Sequence, residues 1–429
     1  MRESPRNWPL LRLALSLFAL RLGATMTAVG LPLLVLKEYG SGVQAALTLA
    51  LELLPNVLFG AVVGDLVDRG DPRRYAMGGA LGGALVIPLL PAADALWQIQ
   101  LLAVASGVAY AFGVPARMSL RTVAVPAGAE LRGNALLVSA QRLPNLIGPA
   151  VAGLLVPFGM SLLFFTDAAF ALLAALLLIG MPAPPPVAAD DAGPTAPAAA
   201  GGGRRSALAL TLRRMFVDNV RELTRLVTKD RFLAVMTLTS FTYMFGFGIS
   251  KLFLPLYALN HYDSVPGMFG YLAAGIGLGA SLGGFLAAAF GRFRQGAVYM
   301  TVNVVEGVCW LMLPLLDHPA PAIAVLVLAG AFEAVGTVVF YAEVQSRLAA
   351  RMTGRYFALL IPLCDAFLVL GVWASGALTG FGELSLAALI AVAMAGPALM
   401  LAPGLLGGRR PPPERKTPVA APAAVSAEE

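Results

Sequence analysis

Arginine and lysine fall almost wholly on alternate gaps between about twelve apolar stretches, and that asymmetry reads as a chain threaded repeatedly through a membrane in one orientation. The apolar runs lie near 10–36, 44–68, 76–93, 97–117, 136–159, 160–181, 231–258, 266–290, 296–316, 321–342, 356–380 and 384–406. Most reach the ~20 residues that a helix rising 1.5 Å per residue needs to cross a ~30 Å hydrocarbon core. With the N-terminus inside, the inner gaps carry Arg2, Arg6 and Arg12, then Arg69, Arg73 and Arg74, then Arg117, Arg121 and Arg132. They continue with the basic residues between Arg204 and Arg231, then Arg292 and Arg294, then Arg347, Arg351 and Arg355, and end with Arg409, Arg410, Arg415 and Lys416. These are 26 of the 30 basic residues, whereas the outer gaps hold only Lys37. The positive-inside rule therefore predicts an all-α protein of twelve transmembrane helices with both termini in the cytoplasm.

Composition narrows the function. Apolar residues make up 58% of the chain and charged residues 13%, against about 25% charged in a soluble domain. The net charge of +6 follows from topology and contact with anionic lipid headgroups, so no nucleic-acid partner is expected. Cys309 and Cys364 lie inside predicted spans, and no metal-ligand spacing or cofactor motif is present. The two histidines, His261 and His318, fall in outer gaps, which removes a buried histidine relay. No nucleophile–base–acid set argues for an enzyme. The phosphate-cradling G-x-x-x-x-G-K-[ST] loop is absent, so ATP is not the expected energy source. The first apolar run is too long for a cleaved leader and is read as a retained span. Arginine outnumbers lysine 26 to 4, the codon usage of a GC-rich bacterial genome, which points to a bacterial cytoplasmic membrane.

The chain divides into a six-span half at 1–181, a cytoplasmic linker at 182–230, a second six-span half at 231–408 and a disordered tail at 409–429. The linker opens Pro184-Pro185-Pro186 and runs through Ala-, Pro- and Gly-rich sequence to Gly203, which cannot bury a core. After it, Leu208, Leu212, Met215, Phe216, Val220, Leu223 and Val227 recur at helical spacing. They predict an amphipathic helix lying on the membrane surface. The halves share a weak repeat. Gly64-Asp65-Leu66-Val67-Asp68-Arg69 ends the second span, and Gly284-Phe285-Leu286 through Gly291-Arg292 ends its counterpart.

The first copy resembles the G-x-L-a-D-R-x-G-R signature of the major facilitator superfamily, with Gly70-Asp71-Pro72 separating Asp68-Arg69 from Arg73-Arg74. Further segments resemble its twelve-span bacterial drug and siderophore exporters, the macrolide-efflux and enterobactin-exporter branch. These are Arg21-Leu22-Gly23 with Leu31-Pro32-Leu33, Glu52-Leu53-Leu54-Pro55, Pro115-Ala116-Arg117, Asn134-Ala135-Leu136, Gln141-Arg142, Gly148-Pro149-Ala150-Val151-Ala152-Gly153 and Gly354-Arg355. The resemblance implies an exporter of small amphipathic compounds working by alternating access; protons are the expected coupling ion and a monomer the expected state. The resemblance also implies a conformational latch from Gly60, Gly64, Asp68, Arg69, Arg73 and Arg74. Gly60 and Gly64 let a neighbouring helix approach. Asp68 would accept from the open N–H groups at the start of the eleventh span near Thr353-Gly354. Gly148, Pro149 and Gly153 form a kinked fifth-span element associated with exporters.

Charges at membrane depth are the best guide to mechanism. Arg21, Glu52, Glu306, Glu333 and Asp365 lie near the middle of their spans, and Lys251 lies ~9 Å outward of the centre of the seventh. A charge at the helix centre costs at least ~2.5–3.5 kcal/mol, so these groups are expected to face a cavity or pair. By the resemblance, the first, fourth, seventh and tenth spans line that cavity. This makes Arg21, Thr25, Tyr243, Phe247, Lys251, Thr337 and Tyr341 candidates for contact with a small-molecule substrate. Glu333, Asp365 and Glu52, in that order, are candidates to carry the coupling proton. Glu306 falls on a peripheral span and is expected to touch substrate least, and Asp167 is expected to be structural. An interhelical pair such as Arg21 with Glu52 that only fixes packing remains the alternative for each charge. Uptake of a small metabolite is the rival function, and a non-transporting scaffold explains the midplane charges less well.

Overall fold

The computed structural model describes residues 8–126, 129–184, 219–228, 230–263, 265, 267–348 and 350–401. Six helices come first: α1 (Trp8–Tyr39), α2 (Gly42–Arg69), α3 (Pro72–Val86), α4 (Leu96–Ala124), α5 (Glu130–Leu155) and α6 (Met160–Leu176). A short helix α7 (Asn219–Val227) precedes six more: α8 (Arg231–Tyr262), α9 (Met268–Leu286), α10 (Gln295–Met312), α11 (Pro319–Arg347), α12 (Ala350–Leu378) and α13 (Glu383–Ala395). Among the described residues, nine of these are long and apolar enough to cross a membrane. The others that complete the twelve are α2, α5 and α6. Acidic and basic residues interrupt the end of α2, α5 carries Arg132, Arg142 and Asn145, and α6 is only 17 residues long.

Local chemistry sets the helix starts. Ser41 accepts from the Gln44 N–H ahead of α2, and Asp71 accepts from the Arg73 N–H with Pro72 in the first turn of α3. Asp230 accepts from the N–H groups of Phe232 and Leu233 at the start of α8. It also holds Arg347 at 2.9 Å, and that guanidinium lies 4.0 Å over the Phe232 ring. Burial alone raises the Asp230 carboxyl, but the Arg347 contact and the two capping N–H groups outweigh it and hold the group below the ordinary carboxylate range.

With an even number of spans, α1 begins and α13 ends on one face of the bundle, the terminal face; the hairpin between α1 and α2 marks the far face. A single apolar core fills the far half. It takes Leu31–Leu36 of α1, Ala45 and Leu49 of α2, Phe253 and Tyr257 of α8, Leu272 of α9 and Val372 of α12. Toward the terminal face that core splits. Leu13, Leu17, Val67, Leu120 and Leu137 cluster in the first half, and Val235, Met236, Val302 and Val335 cluster in the second. Among the described residues, the buried core is therefore continuous between the halves at the far face and separate in each half toward the terminal face.

Helix α7, the described end of the expected amphipathic helix, turns part of its apolar stripe onto the bundle. Leu223 and Val227 are buried against Leu233, Tyr356, Leu359 and Leu360 of α8 and α12, and Glu222 pairs with Arg355. Leu208, Leu212, Met215 and Phe216, the rest of the linker and the tail lie outside the described residues. His261, expected in an outer gap, belongs to the last turn of α8, where Nε2 meets Glu383 Oε2 at 2.8 Å and ties α8 to the start of α13.

Candidate functional site

Of the charged side chains expected at membrane depth, Arg21, Glu52, Lys251 and Glu333 converge on the seam between the halves. From the first half, Arg21 on α1 donates through Nη1 to the Tyr110 hydroxyl of α4 at 2.9 Å and through Nε to Asn145 Oδ1 of α5 at 3.1 Å. These bonds hold the guanidinium across three helices; among the described ion pairs there is none between Arg21 and Glu52. From the second half, one face of α8 presents Tyr243, Phe247 and Lys251. The two rings stack at 6.4 Å with a 15° tilt, and Lys251 Nζ sits 4.4 Å from the Phe247 centroid. Side-chain spacing of four residues creates this column.

Lys251 is the meeting point of the two halves. Its ammonium feels Arg21 and Glu52 from the first half and Glu333 from the second. Glu333, on α11, in turn faces Lys251 and Arg142, the latter from α5. Two acids and three bases from five helices thus share one zone at mid-depth, exposed at Lys251 and Arg142 and half-buried at Arg21, Glu52 and Glu333. Such an arrangement can receive a compound carrying either charge, and aromatic surface beside the charges suits an amphipathic one.

Other candidates sit elsewhere. The Thr25 hydroxyl donates to the carbonyls of Leu22 and Pro144 and is turned into the contact between α1 and α5. Tyr341 is exposed one helical turn beyond half-buried Thr337, and its ring meets Phe357 at 4.9 Å and Phe340 at 5.7 Å. This aromatic group lies toward the terminal face. Asp365 on α12 is half-buried. Asp167 is buried on α6 and accepts from Thr27 of α1, as a packing role requires. Glu306 is buried on α10 and accepts from the Tyr243 hydroxyl at 2.9 Å. Sequence reasoning sets it apart as peripheral. Its span is peripheral, but the side chain turns inward, and only the face of α10 opposite lipid could have signalled this.

The fifth-span element works on two sides. A Cβ on Gly148 would overlap the Thr25 hydroxyl, so that glycine admits α1. Next along the helix, Pro149 and Gly153 lie backbone to backbone against Gly267 and Gly270 at the start of α9, and Gly267 has φ +75°. This crossing joins the halves near the far face. A second joins α2 to α12, where Gly376 meets Val43 and Ala46. At the terminal face, Arg73 and Arg74 pair with Asp71 at 3.3 and 3.4 Å, and Arg73 donates to the Met181 carbonyl at 3.2 Å. The inserted Gly70-Asp71-Pro72 thus supplies a carboxylate of its own to both arginines. The surroundings of Gly60 and Gly64 and the side chains of Asp68 and Arg69 lie outside the described residues. Arg117, counted above in an inner gap and in the Pro115-Ala116-Arg117 motif, lies instead inside α4, is 1% exposed and donates through Nη1 to the Gly113 carbonyl. Among the described residues, no group of three or more His, Cys, Asp or Glu is placed to hold a metal ion.

Comparison with known proteins agrees with this architecture. The multidrug efflux pump Tap of Mycobacterium tuberculosis is 29% identical over 399 residues, covering 88% of each chain. Macrolide efflux protein A of Streptococcus pyogenes is 21% identical over 319 residues, covering 73% of each. Among solved structures, a mutant of the nucleoside transporter NupG superposes with a TM-score of 0.70 at 13% identity, covering 93% of this chain and 99% of that one. A bacterial homologue of the lysosomal transporter Spinster, described as inward-facing and unoccupied, superposes with a TM-score of 0.66 at 15% identity, covering 93% and 95%. Both share the fold. The family model described as Major Facilitator Superfamily matches residues 13–367, and the chain is a multi-pass membrane transporter belonging to that superfamily.

Proposed function

We propose that this transporter exports small amphipathic compounds, including antibiotics of the macrolide class, across a bacterial cytoplasmic membrane in exchange for protons. The mid-depth cluster carries the reading. Arg21, Arg142, Lys251, Glu52 and Glu333 come from both halves and face one another where the seam parts. The names of the relatives, a multidrug efflux pump and a macrolide efflux protein, support outward transport and this substrate class. The positive-inside asymmetry makes the terminal face cytoplasmic, with the linker 182–230 and the tail 409–429 on that side. The state described then opens to the cytoplasm.

The geometry supports an export cycle of this kind. A compound enters from the cytoplasm or inner leaflet and settles between the Tyr243–Phe247–Lys251 column and the acids. Its charge changes the balance around Glu333, which holds a proton in one state and releases it to water in the other. The terminal face closes over the compound, and the glycine crossings at the far face separate to let it out. The transporter works as a monomer, because the cluster is complete within one chain.

The test is twofold. Expression in a drug-sensitive host should raise tolerance to macrolides, and inverted vesicles under an imposed pH difference should accumulate erythromycin. Glu333→Gln should abolish the proton-driven accumulation while erythromycin binding persists at least in part. Accumulation unchanged in that variant removes Glu333 as the coupling acid, and Asp365 and Glu52 come next. Accumulation in right-side-out vesicles instead would assign uptake.

A further inference from the structure

Glu306 has a place in the bundle that its helix does not prepare for. Helix α10 stands in the second rank, away from the seam, yet Glu306 is only 4% exposed and its side chain reaches inward to Tyr243 of α8. Its Oε1 accepts from the Tyr243 hydroxyl at 2.9 Å. Tyr243 belongs to the column on α8, and the charge of Glu333 also acts on its phenol. Across the contact of α10 with α11, a Cβ on Gly336 would meet Val302 at 3.1 Å, which sets Glu306, one turn beyond Val302, at the level of Glu333.

The surroundings of the two acids differ. Glu333 has Lys251 and Arg142 nearby. Glu306 has no basic side chain within ion-pair distance among the described pairs. From α11 it faces Glu333, from α8 Tyr243, and along its own helix Cys309. The segments of α13 and of the turn Pro397–Leu401 that pack against α10 bring no titratable group to it. Two carboxyl groups that interact in a poorly solvated setting do not ionise independently: the charge on one alters the proton affinity of the other.

We propose that Glu306 and Glu333 form one proton-binding unit bridged by Tyr243, in which Glu333 exchanges the proton with cavity water and Glu306, from behind the wall, sets the affinity with which it does so. The inference rests on the proton-coupled reading above. The step is a simple protonation: a proton from cavity water adds to a Glu333 carboxylate oxygen and later returns to water on the other side, while the Tyr243 phenol keeps its own. Glu306 is thus a positioning residue that acts through Glu333 and does not touch the exported compound. It also accounts for a buried acid on a second-rank helix, which packing alone would replace by an apolar side chain at no loss.

The experiment is an infrared titration of the carboxylic C=O bands in the full-length protein reconstituted in liposomes, with bands assigned by Glu306→Gln and Glu333→Gln. In Glu306→Gln, the Glu333 band should move its midpoint by at least about one pH unit, a tenfold change in proton affinity. Because linkage is reciprocal, Glu333→Gln should move the Glu306 band by a similar amount. Tyr243→Phe, which removes only the bridging hydroxyl, should move the Glu306 band while the protein folds. If Glu306→Gln is poorly folded, Glu306→Asp keeps the charge and should give a smaller shift of the Glu333 band. Midpoints of each acid that stay unchanged when the other is removed overturn the proposal. In parallel, extrusion of ethidium driven by an imposed pH difference should show its pH profile displaced in Glu306→Gln. Wild-type extrusion of ethidium and erythromycin that ignores the pH difference would sink the proton-coupled reading, and the infrared midpoints would still decide the pair.

Discussion

The two ends of the seam are built from opposite materials. At the far face the halves meet through glycine backbones, Gly153 against Gly267 and Gly270, and Gly376 against Val43 and Ala46, over a continuous apolar core. At the terminal face each half keeps its own core, and polar pairs such as Arg73–Asp71 and Arg347–Asp230 stay within one half. A glycine contact depends on shape and fails with one added side chain. A charged rim tolerates water and can be remade with new partners. The difference teaches which end acts as a shape-dependent seal and which as a switch.

The seal should be the more fragile. A leucine in place of Gly270 would overlap the Pro149 carbonyl and the Gly153 backbone. Overpacking of that kind costs about 1–3 kcal/mol, a shift of roughly 5- to 150-fold in a two-state equilibrium. Gly270→Leu should therefore hold the far face open, and a cysteine placed at Asn145 should become reactive to an impermeant maleimide from outside once Cys309 and Cys364 are replaced. Labelling no greater than in the parent would show that the crossing is not the seal.

The switch should respond more gently. Asp68→Asn removes the charge that the family signature directs toward the start of α12. Charge–helix contacts of this type are worth about 0.3–2 kcal/mol, so transport should fall several-fold with protein abundance unchanged. Equal transport by the two forms would leave Asp68 a topology signal only. The Asp230 cap should matter least. Its carboxyl is held below the ordinary range in the folded protein, so its contribution is present above about pH 4, the unfolded value, and fades as pH falls through the folded one. Asp230→Asn keeps a capping side chain and should lower Tm slightly at pH 7. The gap between the two proteins should close in strong acid. A gap that widens there would reverse the sign of the argument.

Much of this contrast was legible in the chain. The twelve spans, their halves and the depth of Arg21, Glu52, Lys251 and Glu333 follow from apolar length and helical spacing, because a membrane imposes both. The column Tyr243–Phe247–Lys251 was visible for the same reason. Thr25 and Glu306 were not, since helix rotation decides whether a residue meets a neighbour or the cavity, and a span apolar all round leaves rotation unmarked. The Arg73 and Arg74 pairs depended on Asp71, a turn residue whose reach no periodicity records. Burial of Leu223 and Val227 under α12 was likewise hidden, since an amphipathic stripe fits a membrane surface and a protein groove alike.

Alternation of the two ends is most directly tested by electron spin distance measurements on two labelled pairs in liposomes. One pair spans the far face, with labels at Asp94 and Asp317; the other spans the terminal face, with labels at Arg74 and Gln345, all at exposed positions. Lowering the pH on the far side, in the presence of erythromycin, should lengthen the first distance and shorten the second in the same population. Two distances that stay fixed, or that lengthen together, would contradict alternation between a glycine seal and a charged switch.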